Sequence, residues 1–357
     1  MTVDALSPAL PQLQLAASNG IEKLLNASTA RMEDICTDFT FDIAWRQIIG
    51  LKLNEIEALK FKKAVIDWIS GFRSIRAMIL PGSKSEKARH YIDSLILERI
   101  EELKRDGPDG STLSAMVFAS TEDEHGAHKK LNRQQILDNC VGMIFAGTET
   151  SASTLTTAML FLGLRPNIWN KVVAEQQALV SKHGDNLTTE QLSSGCQYLE
   201  AVIMETMRLK PLALGLMRVA KDTLVIDGKQ IPKGYSVMSS ITLTHERDPI
   251  TWKADGSHMD VRVGFQPERW LDKTTRPSQE YFPFGYGPHY CLGKNLAMME
   301  MKVFLSLMAR RVYFSLVNDY ETSGWKEQSI IPKPADGCLV TARPRQNIMS
   351  GETGSVS

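Results

Sequence analysis

The stretch from Asn132 to Leu164 sets the tightest limit on what this chain can fold into. Residues on nearly every side of it are apolar or small, so as a helix it has no face to give to water. Such a helix belongs at the centre of a domain, wrapped by others. The 357 residues suffice for that wrapping, as one large or two ordinary domains. Helical spacing of apolar residues recurs over Glu55–Ser70, over Ser83–Arg105 (the stripe Tyr91, Leu95, Ile96, Ile100), from Pro166 to His183, from Gln197 to Leu209 and from Leu292 to Arg311. Asp106 to Lys130 is polar and reads as a solvated connection. Thr223 to Pro232, with Asp227-Gly228 at its middle, reads as a tight β-hairpin. His245 to Tyr290 is rich in turns, and a polar tail begins at Asn347. The predicted fold class is mainly α with small β sheets in the C-terminal half, with one domain over 1–346 and a tail over 347–357. No internal repeat is present.

Charge excludes some partners. With 41 Lys+Arg against 41 Asp+Glu, the chain has no net field to attract nucleic acid or an anionic membrane. The five cysteines, Cys36, Cys140, Cys196, Cys291 and Cys338, are odd in number and lack any Cys-x-x-Cys spacing. That suits a reducing compartment and argues against a disulfide framework or zinc cluster. Met1 to Pro8 has neither a basic start nor an apolar stretch, and no apolar run reaches about 18 residues, so the chain as given reads as soluble or peripheral.

Four places carry chemistry. In Phe284-Gly285-Tyr286-Gly287-Pro288-His289-Tyr290-Cys291-Leu292-Gly293 a cysteine leaves a glycine-rich loop and enters a helix. A helix N-terminus favours a thiolate, and a thiolate suits a metal. Gly285, Gly287 and Gly293 allow the backbone to lie close to something flat. In the helix Leu199 to Leu209, Glu205 and Arg208 share a face and can pair bidentately. By itself that spacing reads as a surface pair. Glu149 and Thr150 stand inside the long apolar helix, where an acid beside an alcohol is costly unless it is used. Met143, Ala146, Thr150 and Thr154 share one face of that helix. Arg218 stands alone, ten residues beyond Arg208.

The ten-residue string resembles the cysteine loop of the cytochrome P-450 family, Phe-x-x-Gly-x-x-x-Cys-x-Gly, at Phe284, Gly287, Cys291 and Gly293. The resemblance implies the P-450 fold with haem b as cofactor and Cys291 as the iron ligand, the thiolate that favours O–O cleavage. His289 takes the place of the usual arginine, and it and Arg218 are the expected propionate partners. Glu205, Arg208 and, from Phe265-Gln-Pro-Glu-Arg269-Trp270, Arg269 are expected to form a buried network that locks the cysteine loop. By the same resemblance, Thr150 hydrogen-bonds the oxygen being activated and Glu149 relays protons. Ala146 and Gly147 leave room for dioxygen, and Met143, Leu212, Ala213, Leu214 and Leu216 line the substrate pocket.

The implied activity is a monooxygenase that hydroxylates a lipophilic small molecule with electrons from NADPH, delivered by a reductase or ferredoxin. Lys294, Lys302, Arg310 and Arg311 read either as a solvated helix face or as a basic patch for an acidic electron donor. The segment Ile79 to Arg89 and the run Cys291 to Lys302 resemble the retinoic-acid and sterol hydroxylase group, which implies an isoprenoid, retinoid or sterol-like substrate. Met1 to Pro11 looks like the segment just after a helix that carries a Trp and an Arg for the propionates in full members. The expected fold therefore lacks its N-terminal part, including first strands and any membrane anchor, and membrane contact would come through that part. Two alternatives stay open: a peroxide-rearranging haem-thiolate enzyme, against which Glu149-Thr150 argues, and a truncated isoform without catalysis.

Overall fold

The computed structural model describes residues 6–71, 82–122, 128–278, 281–318, 324–326 and 331–345, the backbone alone at 121–122 and 128–129. In chain order the helices are α1 (Leu10–Leu25), α2 (Met32–Ile43), α3 (Glu55–Gly71), α4 (Lys84–Asp106), α5 (Thr112–Phe118), α6 (Arg133–Leu164), α7 (Pro166–His183), α8 (Gln197–Leu209), α9 (Ile241–Glu246), α10 (Val261–Gly264) and α11 (Lys294–Arg311). The strands are β1 (Ala30–Arg31), β2 (Thr121–Glu122), β3 (His128–Lys129), β4 (Gly215–Val219), β5 (Leu224–Ile226), β6 (Lys229–Ile231), β7 (Ser236–Ser240), β8 (Val312–Leu316) and β9 (Leu339–Pro344). The chain divides into two compact units, Met1–Cys36 with Thr150–Ser357, and Thr37–Glu149.

In the unit Thr37–Glu149, α3 and α4 pack lengthwise, and Phe61, Ile92, Ile96, Ile100, Leu113 and Ile144 are buried together. Ser83 caps α4 by accepting from the Glu86 amide, and Ser111 caps α5 by accepting from the Ser114 amide. After α2 the backbone widens into a π-helix, Ala44–Ile49, that ends at Gly50 with φ of +71°. Within the polar stretch 106–130 the structure has α5 and the short ladder β2–β3 where a plain connection was expected. An N-cap serine and the buried Leu113 hold this seven-residue helix, which is too short for its periodicity to stand out.

In the larger unit, α11 packs against α1, α7 and α8. Consecutive residues from Met299 to Arg310 are all buried, charged ones included. The C-terminal half of α6 is equally enclosed: Ser151 to Leu162 are buried without exception. That is the central helix expected from the sequence. Earlier along α6, Gly142 and Ala146 are exposed. Small antiparallel sheets surround these helices in the order β1-β9-β8, with the pairs β4–β7 and β5–β6 beside it. Asp227 and Gly228, at φ of +47° and +73°, make the turn of the β5–β6 hairpin. Arg218 lies within β4. The polar tail 347–357 lies outside the described residues.

Candidate functional site: the cysteine loop and its buried anchor

The loop that leads to Cys291 is pinned at both ends by its own backbone. The Gly285 amide donates to Phe282 O and the Cys291 amide to Phe284 O, each at 2.9 Å, with a 3₁₀ turn Gly287–His289 between. Gly285 and Gly287 take φ of +80° and +69°, where a side chain is strained. Gly293 is the N-cap of α11, no side chain caps that helix, and a Cβ at Gly293 would stand 3.9 Å from the Cys291 sulfur. Of the five cysteines only Cys291 is exposed. Burial pushes the thiols of Cys36 and Cys140 up to about 12, which holds them as inert core groups.

β4 meets this loop. Leu216 Cδ2 lies 3.7 Å from where a Cβ at Gly285 would be. Alternation along a strand places Arg218 on the same face as Leu216. Arg218 is exposed and donates from Nη1 to the Met217 carbonyl at 2.8 Å. His289 is exposed, Leu212 half-buried, and Ala213 and Leu214 exposed. On α6, Met143, Gly147, Glu149 and Thr150 are half-buried and Ala146 exposed, whereas Thr154 is buried and bonds back to the Thr150 carbonyl at 3.1 Å. Thr40 of α2 donates to the Thr148 carbonyl at 3.0 Å, one residue before Glu149.

Glu205 and Arg208 are both fully buried and form a bidentate pair, Nε to Oε2 at 2.9 Å and Nη2 to Oε1 at 3.0 Å. Arg269 Nε adds a bond to Oε1 at 3.0 Å, and the Gln266 amide another at 3.1 Å. Sequence reasoning missed the fifth donor, the Trp270 indole, at 3.0 Å from Oε2. Arg208 Nη2 also donates to the carbonyls of His258 and Gly264 at 2.8 and 3.2 Å. Gly264 belongs to the anchor through its missing side chain, because a Cβ there would lie 2.3 Å from the His258 oxygen. The network therefore grips 258–270 directly, and not the cysteine loop as expected. The loop is reached through Tyr281, whose ring meets Trp270 at 4.5 Å and His245 at 4.9 Å and whose hydroxyl donates to the Met204 carbonyl at 2.9 Å. Burial lowers the His245 imidazole to about 4, so it stays neutral beside the Phe282 amide.

Lys302 and Arg310 fit neither reading of the α11 cations, whereas Arg311 is exposed and Lys294 half-buried. Lys302 is buried and bonds the Leu192 carbonyl and Glu200, and Arg310 is buried against Gln176 and the Asp185 carbonyl. Lys294 remains near the loop, its ammonium 5.4 Å from the Tyr290 ring centroid. It lines a groove of about 510 Å³ together with Phe284, Tyr290 and Met298.

The donor set fits a flat, sulfur-bound cofactor on local geometry. An exposed thiol stands at the end of a glycine-rich loop, flanked by exposed Tyr290 and Leu292, which are 46% and 66% accessible. The family description "Cytochrome P450" matches residues 54–337. The chain belongs to the cytochrome P450 family. It is 30% identical to cytochrome P450 26B1 of Rattus norvegicus over 94% of this chain and 66% of that protein. It is 31% identical to 7,8-epoxymelianol synthase CYP88A51 of Citrus sinensis over 78% of this chain and 56% of that protein. The solved structure of retinoic-acid-bound cyanobacterial CYP120A1 superposes with a TM-score of 0.79 at 26% identity, covering 96% of this chain and 75% of that one. The chain spans 56–66% of the length of these two curated relatives. Among the described residues no helix is long and apolar enough to cross a membrane.

Proposed function

We propose that this chain is the thiolate-bearing part of a haem-dependent monooxygenase that hydroxylates a lipophilic small molecule. The observation that carries this reading is Cys291, the one exposed cysteine, held at the open end of a loop whose glycines leave room for a planar ring. Bound haem b would supply the oxygen activation, with the thiolate tuning the iron.

The chain's own residues do the rest. The Cys291 sulfur is the ligand, and Gly285, Gly287 and Gly293, with Phe284, form the surface against the ring. Arg218 and His289 are the hydrogen-bond donors for its carboxylates. Thr150 offers a hydroxyl for hydrogen bonding, and Glu149, half-buried, can pass a proton from solvent to that hydroxyl. Ala146 and Gly147 keep that side of α6 low, and Met143, Leu212, Ala213, Leu214 and Leu216 offer apolar contacts to substrate. Electrons come from NADPH through a reductase or ferredoxin. The names of similar proteins support a retinoid or triterpenoid-like substrate: one solved relative holds retinoic acid and another relative is an epoxymelianol synthase.

The test is the spectrum of the reduced, carbon-monoxide-bound chain after addition of haem. A thiolate-type Soret band that Cys291→Ala abolishes is the expected result. A spectrum unchanged by that substitution, or no haem uptake at all, would overturn the reading.

A further inference from the structure

Phe282 is the residue on which the cysteine loop turns, and its backbone is held on both sides. Its carbonyl accepts from the Gly285 amide at 2.9 Å, inside the loop, and its own amide donates to His245 Nε2 at 3.4 Å, outside it. His245 stands on α9 and is 2% exposed. Its ring stacks on Tyr281 at 4.9 Å between centroids and meets the Phe282 ring edge-on at 6.1 Å. A backbone amide can only donate, so Nε2 is the bare nitrogen of a neutral imidazole and Nδ1 carries the proton.

α9 is in turn fixed to the Glu205 anchor through a second histidine. The Lys253 amide donates to His258 Nδ1 at 3.2 Å, which leaves the proton on Nε2, and that N–H donates to the Glu246 carbonyl at the end of α9 at 2.6 Å. The His258 carbonyl accepts from Arg208 at 2.8 Å. A line of contacts thus runs from Glu205 through Arg208, His258 and the last turn of α9 to His245, Phe282 and Gly285. Of its two imidazoles only His245 joins the line through an acceptor nitrogen, so a second proton breaks the line there and not at His258.

We propose that His245 is a positioning residue: as an uncharged acceptor it holds the Phe282 amide and thereby fixes where the loop that carries Cys291 begins. A second proton would land on Nε2 and face a donor, N–H against N–H. Burial lowers the imidazole to about 4, the charge of Arg208 acts in the same sense, and the Arg208 carbonyl and Asp248 oppose it. On the elements packed against α9, Glu205 and Arg208 of α8 pair with each other, Glu200 pairs with Lys302, and Arg218 of β4 is exposed and bonded to the Met217 carbonyl. Asp248 accepts from Ser278 and from the amides of Ile250 and Thr251, and Tyr281 donates to the Met204 carbonyl. The bond to Phe282 therefore stands above about pH 4 and is lost below it. What the loop is positioned for rests on the haem reading, but the bond itself does not.

The experiment is hydrogen–deuterium exchange on the full chain without haem, read for residues 282–285 with α7 as reference, comparing variants at equal pH so that intrinsic exchange cancels. At pH 7, His245→Phe, which keeps a ring and removes the acceptor, is expected to speed exchange there roughly 2- to 10-fold, the worth of one buried hydrogen bond, and to leave α7 unchanged. His245→Gln, which puts an acceptor in place of Nε2 and does not titrate, is expected to match the parent at pH 7. At pH 4, where the parent's imidazole is partly charged, the parent is expected to exchange faster than His245→Gln. If His245→Phe fails to fold, the comparison of the parent with His245→Gln decides alone. A His245→Phe chain as slow as the parent at pH 7, a rise that α7 shares, a His245→Gln chain as fast as His245→Phe, or a parent and His245→Gln that stay alike from pH 7 to pH 4 would overturn the proposal. Exchange is read without haem, so this idea and the carbon-monoxide test can fail separately.

Discussion

The Trp270 indole N–H donates to Glu205 Oε2 at 3.0 Å, and the same carboxylate oxygen takes Arg208 Nε at 2.9 Å. One buried carboxylate thus holds together a helix, α8, and the irregular segment that precedes the cysteine loop. Trp270 passes the constraint on by its ring contact with Tyr281.

Removing that N–H tests how much of the anchor is charge and how much is the indole. Trp270→Phe keeps an aromatic against Tyr281 and removes one bond to a charged acceptor, at an expected cost of about 2 kcal/mol. Glu205→Gln leaves the buried Arg208 and the half-buried Arg269 short of a counter-charge and is expected to cost about 3–5 kcal/mol. Urea unfolding of the two variants checks the order.

Gly264→Ala places a Cβ 2.3 Å from the His258 carbonyl oxygen, an atom that also accepts from Arg208. Backbone must move, and the Arg208 bonds to His258 and Gly264 move with it. A loss of about 1–3 kcal/mol is expected in unfolding measurements, with weaker haem retention where haem is bound.

His245 makes the stability of the larger unit fall in acid. Its imidazole titrates at about 4 in the fold against 6.5 when free, so the unfolded chain binds more protons between those values. The stabilisation is complete above about pH 6.5 and is lost as pH falls to about 4, a change of about 3 kcal/mol at most. His245→Phe, which keeps a ring beside Tyr281, should flatten the acid limb of a stability–pH curve. An unchanged limb would place the titration elsewhere.

Thr40→Val removes the hydroxyl that donates to the Thr148 carbonyl and keeps the shape of the side chain. An expected cost of about 1 kcal/mol follows from one buried hydrogen bond. Amide exchange along α6 near Glu149 should rise in parallel.

Where a residue's role was set by its immediate neighbours in sequence, that role could be read before the fold was known. Cys291 with its glycines is a local device, Asp227-Gly228 turns a hairpin on local φ alone, and Glu205 and Arg208 meet because they stand three apart on one helix. What could not be read depends on distant chain. Trp270, Gly264 and the carbonyl of His258 join the anchor only when 258–270 folds onto α8. Lys302 and Arg310 have the spacing of a wet helix face, yet each finds its partner more than 100 residues away in the chain, which no periodicity encodes.

Four buried thiols and one bare one give the chain an uneven tolerance of air. Oxidants reach Cys291 first, and conversion to a sulfinic acid there takes away for good the sulfur proposed as the haem ligand. The sulfur supports no packing, so the damaged chain would melt like the intact one. Storage under reductant, with a thiol count before each haem titration, therefore matters more for this protein than any measure of its foldedness.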